Sequence, residues 1–209
     1  MNSVAMLRQI FTSMAKSVPR DKSNGYEDIA ATFLSTRNPS IGAAIVHEWS
    51  RPLPRGSAIL DLGCGHGVPV SEALTEGGFS VYGVDASPKM IAAFRERFPK
   101  AHAECSGVED SKFFSRRFDG VVAWGLLFLL PADLQAMVIA KVGRALRSGG
   151  KFLFTAPREQ VAWEDALTGR ESISLGWEAY QKILRAEGLD LTGEDTDEGE
   201  NHYYFVLKP

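Results

Sequence analysis

Two acids and three glycines carry the clearest chemical signal in this chain. In the stretch ILDLGCGHGVPV (Ile59 to Val70), Asp61 precedes Gly63, Gly65 and Gly67 at the end of an apolar run. Glycines at the carboxyl end of a strand let the backbone turn with positive φ and come close to a ligand. A dinucleotide fingerprint G-x-G-x-x-G starting at Gly63 needs glycine at position 68, where the chain has Val68. The acid at Asp61 can accept hydrogen bonds from an ammonium and does not favour a pyrophosphate. A second acid, Asp85, closes the next apolar run, VYGVD. It is suited to accept both hydroxyls of a ribose, the role given to an acid about 20 residues beyond such a glycine loop.

The other reactive residue types give weaker patterns. Cys64 reads as a small packing residue, because nothing near it in sequence would activate a thiol. His66 reads as a loop residue. The two cysteines, Cys64 and Cys105, and the four histidines at 47, 66, 102 and 202 form no disulfide framework and no metal-ligand spacing. A ribose-binding acid, an ammonium-binding acid and no phosphate cradle together describe a site for S-adenosylmethionine.

The elements that must position these residues follow from the hydrophobic pattern. Apolar runs SAILDLG, FSVYGVD, AHAEC, FDGVVAWG and KFLFTAP read as five strands. Between them, helices are expected at Val68–Glu76, ended by Gly77-Gly78, and over SPKMIAAFRERF, with Ser87 as N-cap. A third, PADLQAMVIAKVGRALRS, is expected to be closed by Gly149-Gly150. The helix GWEAYQKILRAEG precedes two last strands, LDLTGE and HYYFVLK, whose connection is too short for a crossover and so makes an antiparallel hairpin. The expected fold is α/β: a doubly wound, mostly parallel seven-stranded sheet with a terminal antiparallel hairpin and helices on both faces. Two further helices are expected within residues 25–50. Residues 25–209 read as a single domain. Residues 1–24 read as an N-terminal arm or a lid with Leu7, Ile10, Phe11 and Met14 on one face.

ILDLGCGHG, VYGVDASPKM, FDGVVAWGLLFLL and ALRSGGKFLFTAP, in that order and with the closing hairpin, resemble the class I S-adenosylmethionine-dependent methyltransferases of small-molecule type. The resemblance covers about residues 25–209. It implies that Gly63, Cys64, Gly65 and Gly67 pass beneath the methionine part and that Asp61 orients its amino group. Asp85 would take the ribose hydroxyls, and Ala86, Ser87 and Met90 would line the adenine. The acid that many relatives place after strand three is replaced here by Gly107, so Ser106, the Val108 N–H and Glu109 become the expected adenine contacts. Ala123, Trp124 and Gly125 would lie beside the sulfonium, with Tyr26 over the cofactor. The product would be S-adenosyl-L-homocysteine.

The acceptor leaves fewer traces. The strand-four motif is AWGLLF rather than the Asn/Asp-Pro-Pro-aromatic pattern of methylases acting on nucleobase or amide nitrogen. A formal charge of -3 gives no electrostatic footprint for nucleic acid. No apolar run is long enough to span a membrane. The expected partner is a small-molecule methyl acceptor, with no nucleic acid and no membrane, in a cytoplasmic monomer or homodimer. His202, after the acidic loop DTDEGEN, is the candidate general base. The acids of that loop read as a solvated surface. REQVAWEDALTGRES is long for a connection and is expected to fold over the acceptor cleft. The competing reading is a non-catalytic, cofactor-binding partner subunit with the same fold.

Overall fold

The computed structural model describes residues 20–209; the arm or lid face expected from Leu7 to Met14 lies outside the described residues. Helices α1 (Ala30–Thr36) and α2 (Ala43–Ser50) lead into β1 (Ala58–Leu62). The chain then alternates α3 (Val70–Glu76), β2 (Ser80–Asp85), α4 (Pro88–Arg97), β3 (His102–Cys105), β4 (Phe118–Ala123), α5 (Ala132–Ala145) and β5 (Leu146–Thr155). After β5 come a small hairpin, β6 (Gln160–Glu164) and β7 (Glu171–Leu175), then α6 (Trp177–Ala186), β8 (Asp190–Thr196) and β9 (His202–Leu207).

Seven strands form one sheet in the order β3-β2-β1-β4-β5-β9-β8. The pairs from β3 to β5 are parallel, while β9 runs antiparallel to both β5 and β8. The winding direction reverses between β1 and β4, which opens a crevice at their carboxyl ends. Strand side chains alternate between two cores as the pleat requires. Leu60, Val121, Phe152 and Tyr204 pack with Val138, Ile139 and Tyr180 of α5 and α6. Ile59, Val122, Leu153 and Tyr203 pack with Val46, Leu74 and Phe94 of α2, α3 and α4. Both faces are covered, so the central strands read as unbroken apolar runs.

Two local expectations are corrected. Helix α5 stops at Ala145, and Gly149-Gly150 lies inside β5 instead of capping the helix. Buried Leu146 already pairs with Phe118, and the register then slips before Lys151 meets Gly120, with Gly149 at φ +75 in the bulge. The Gly149 N–H donates to the Lys208 carbonyl at 2.7 Å, which anchors the bulge to the chain end. Helix α3 starts at Val70 rather than Val68, behind Pro69. The segment after β5 folds as the β6–β7 hairpin, and Trp163 on it packs against Phe128 after β4.

Candidate active site

A cavity opens in the crevice where β1, β2 and β4 end. Asp61, Gly63, Cys64 and Gly65 from β1 and its loop line it, with Asp85, Ala86 and Met90 from β2 and α4. Val108, Trp124 and Gly125 line it from the loops after β3 and β4, and Tyr26 from the segment before α1. The structure thus brings together eleven of the residues singled out in the sequence.

The two acids differ in setting. Asp61 is 1% exposed and accepts one short bond from the Ser71 hydroxyl, 2.6 Å away on α3. Burial pushes its pKa up to about 7, the Ser71 bond works against that, and the charge of Asp85 adds to it. Asp85 accepts the Ser87 N–H at 2.8 Å on one oxygen and the Gly65 N–H at 2.9 Å on the other. Burial raises its pKa, and those backbone donors oppose the rise. Each Asp85 oxygen keeps a lone pair for a ligand hydroxyl.

The glycines split into two kinds. Gly65 (φ +53) and Gly125 (φ +67) would carry a Cβ into open space, so they leave room at the crevice floor. Gly67 (φ +92) instead sits against the rings of Phe98 and Phe94, where a Cβ would collide. It serves loop packing and does not reach the cavity.

Five other expected residues also lie outside the cavity lining. Ser87 caps α4 by accepting the Met90 N–H and bonds Glu27. Ser106 turns its hydroxyl to the Gly107 carbonyl. Glu109 pairs with Arg20. Ala123 is wholly buried in the core beneath α5 and α6. His202 is held at 2.9 Å from Glu194 and meets the ring of Tyr204 edge-on, so the structure does not bring the candidate base to the cavity.

Residues the sequence reading passed over complete the walls. His66 is 4% exposed, lines the cavity, lies edge-on to Phe33 and has an unpartnered Nδ1 among the described residues. Burial, with the charges of Arg97 and Arg37, lowers its pKa to about 4, so it is neutral at physiological pH. Burial also raises the Cys64 thiol well above its ordinary value, which fits a packing role. The acidic hairpin loop is not wholly solvated: Asp197 is buried and accepts the Tyr203 hydroxyl at 2.7 Å, and Tyr203 in turn accepts the Trp124 indole N–H. Leu126, Phe128 and Leu167 make one end of the cavity apolar, and Tyr26 reaches Asp165 of the small hairpin at 3.4 Å.

A 3₁₀-like turn after β3 presents Val108. The Lys141 ammonium on α5 donates to the Val108, Glu109 and Ser111 carbonyls at 2.7–2.9 Å. The Asp110 and Ser111 N–H groups close the turn on the Gly107 carbonyl. A cation at the carbonyl end leaves the amides of the turn's first residues facing away from it.

Residues 59–150 match the family described as methyltransferase domain. The matched stretch, from β1 into β5, thus resembles a methyltransferase domain. An uncharacterized methyltransferase of Synechocystis is 37% identical over 109 residues, 52% of this chain and 50% of that protein. A ubiquinone biosynthesis O-methyltransferase of Coxiella burnetii is 33% identical over 149 residues, 65% of this chain and 60% of its own. The chain thus spans about half to three-fifths of the length of these curated relatives. Among solved structures, the 1,6-didemethyltoxoflavin-N1-methyltransferase of Burkholderia thailandensis, with its substrate and S-adenosylhomocysteine bound, superposes with TM-score 0.66 at 20% identity, covering 97% of this chain and 86% of that one. That likeness concerns the fold.

The donor set fits the cofactor of this family. Two glycines leave open floor where the backbone must approach the ligand. Asp85 has acceptor capacity to spare for a ribose, and Asp61 keeps one oxygen without a partner for an ammonium. No helix among the described residues is long and apolar enough to cross a membrane.

Proposed function

We propose that the protein transfers the methyl group of S-adenosylmethionine to a small-molecule acceptor by in-line displacement, releasing S-adenosylhomocysteine. The observation that carries this reading is the Asp85 carboxylate, half-buried at the crevice, tied to the glycine loop and still able to take two hydroxyls. When bound, the cofactor supplies a methyl carbon on a positively charged sulfur that leaves as a neutral thioether. Little is then required of the chain except positioning, which can contribute on the order of 7–11 kcal/mol to lowering such a barrier.

In this reading Gly63, Cys64 and Gly65 pass beneath the amino-acid tail, and Asp61 takes its ammonium. Asp85 takes the ribose, while Ala86, Met90 and the Val108 amide border the adenine. Trp124 and Gly125 flank the reacting centre, with Tyr26 above. The segment 20–29 and the β6–β7 hairpin exclude water. That role is supported by the pairs Arg20–Glu109, Lys22–Asp110 and Arg170–Asp21 and by the Tyr26–Asp165 contact. It also supports reading residues 1–24 as a lid on a domain of residues 25–209. The apolar end at Leu126, Phe128 and Leu167 favours an acceptor with a hydrophobic body. Two unpaired cysteines support a reducing, cytoplasmic setting, and the reading takes the protein as a monomer or homodimer.

The test is transfer itself. The chain is incubated with methyl-labelled S-adenosylmethionine and fractions of a small-molecule extract. Label should pass to a low-mass product with the wild type and not with Asp85→Ala. Tight cofactor binding without a labelled product from any fraction would instead indicate a cofactor-binding partner subunit.

A further inference from the structure

Arg37 follows α1 directly and turns its guanidinium into the cavity. Its central carbon lies 4.0 Å from the Trp124 ring centroid and 5.5 Å from that of Phe33, so two aromatic rings are within cation–π reach of the group. Its Nε and Nη2 are buried and have no hydrogen-bond partner among the described residues. No carboxylate stands within ion-pair distance of it among those residues. An unpaired charge in such a place is costly unless a ligand compensates it.

The two idle nitrogens belong to one edge of the guanidinium, where the N–H bonds are parallel and match the two oxygens of a carboxylate. The surroundings lean the same way. Asn24 Nδ2 and His66 Nδ1, also on the cavity wall, are buried without partners among the described residues. The acids that line the cavity bond groups other than Arg37: Asp61 accepts from Ser71, Asp85 from Gly65 and Ser87, and Asp165 from Leu167 and Thr168. Asp61 and Asp85 in the same cavity would repel a dianionic phosphate more than a monoanionic carboxylate.

We infer that Arg37 is the carboxylate receptor of this cavity, gripping a ligand carboxylate through its Nε–Nη2 edge while Trp124 and Phe33 hold the guanidinium in plane. The inference rests on the cavity being the cofactor and acceptor site. Two sources could bring that group: the amino-acid tail of the methyl donor, or an acceptor that is itself a carboxylic acid.

Calorimetry on the full chain separates them. Wild type, Arg37→Gln and Arg37→Lys are titrated with S-adenosylhomocysteine and with 5′-methylthioadenosine, which keeps the nucleoside and thioether but lacks the amino-acid tail. Melting curves check that each variant folds. If the tail is the source, Arg37→Gln weakens S-adenosylhomocysteine at least tenfold and leaves 5′-methylthioadenosine unchanged, and Arg37→Lys falls between. If the acceptor is the source, both titrations are unchanged. Then benzoate, salicylate and hexanoate, added at saturating S-adenosylhomocysteine, stabilise wild type but not Arg37→Gln, and their primary amides stabilise neither. Equal weakening of both nucleosides, or no ligand that distinguishes wild type from Arg37→Gln, would overturn the inference. Wild-type binding of S-adenosylhomocysteine tests the underlying cofactor reading separately.

Discussion

The Gly65 N–H donates to Asp85 Oδ2 at 2.9 Å, so the loop after β1 is fastened to the tip of β2 across the crevice. One carboxylate thereby fixes the glycine loop and faces the cavity. Asp85→Ala should cost stability, about 1–3 kcal/mol for the buried amide left unsatisfied. It should also weaken S-adenosylhomocysteine about a hundredfold, through the loss of charge-assisted bonds to the ribose. Urea unfolding and calorimetry measure the two effects separately.

The stability–pH profile should show two buried groups pulling in opposite directions. Asp61 is raised to about 7 from an unfolded value of roughly 3.9. Its contribution is fully present below about pH 4 and is lost as pH rises toward 7. His66 is lowered to about 4 from an unfolded value of about 6.5. Its contribution is present above pH 6.5 and is lost as pH falls toward 4. Asp61→Asn should therefore make stability fall more steeply on acidification from pH 6.5 to 4.5, and His66→Gln should make it fall less steeply. Urea midpoints at these two pH values check both signs. An Asp61→Asn profile with the wild-type slope would contradict the buried, protonated Asp61.

Lys141 holds the turn after β3 by three of its carbonyls, those of Val108, Glu109 and Ser111. Lys141→Met is expected to cost about 1–3 kcal/mol of stability. It should also loosen S-adenosylhomocysteine about tenfold, because Val108 borders the cavity. Unchanged affinity with lowered stability would show that the turn does not contribute to ligand binding.

Removing the Tyr203 hydroxyl takes the partner from both buried Asp197 and the Trp124 indole. Tyr203→Phe should cost about 2 kcal/mol, a melting point roughly 4–8 °C lower for a chain of this size. Since Arg37 lies over Trp124, the same change should slow methyl transfer beyond what lost folded protein explains. Rates normalised to the folded fraction make that distinction.

The strands could be read from the chain because parallel strands covered on both faces are continuous apolar runs, and Ile59, Leu60, Val121 and Val122 form such runs. The place of Asp61 and Asp85 at the cavity was legible because it depends only on their position at a strand end. Gly149-Gly150 was misread as a helix cap because a glycine pair after a helical pattern looks the same whether it stops a helix or bulges a strand. Only the long-range pairing with Lys208 decides between them. Arg37 and His66 carried no local signal: their burial comes from contacts with Trp124 and Phe33, far off in sequence. Asp197 looked like one acid among several in a polar run, and only the fold sets it beneath Tyr203. His202 follows the right strand end but leans toward Glu194, a side-chain choice that spacing does not encode.

Calorimetric titration of the wild-type chain with S-adenosylhomocysteine and with NAD tests the central claim most directly. One-to-one binding of S-adenosylhomocysteine, lost in Asp85→Ala, with no heat from NAD, is the expected result. Binding of NAD in place of S-adenosylhomocysteine would contradict the account.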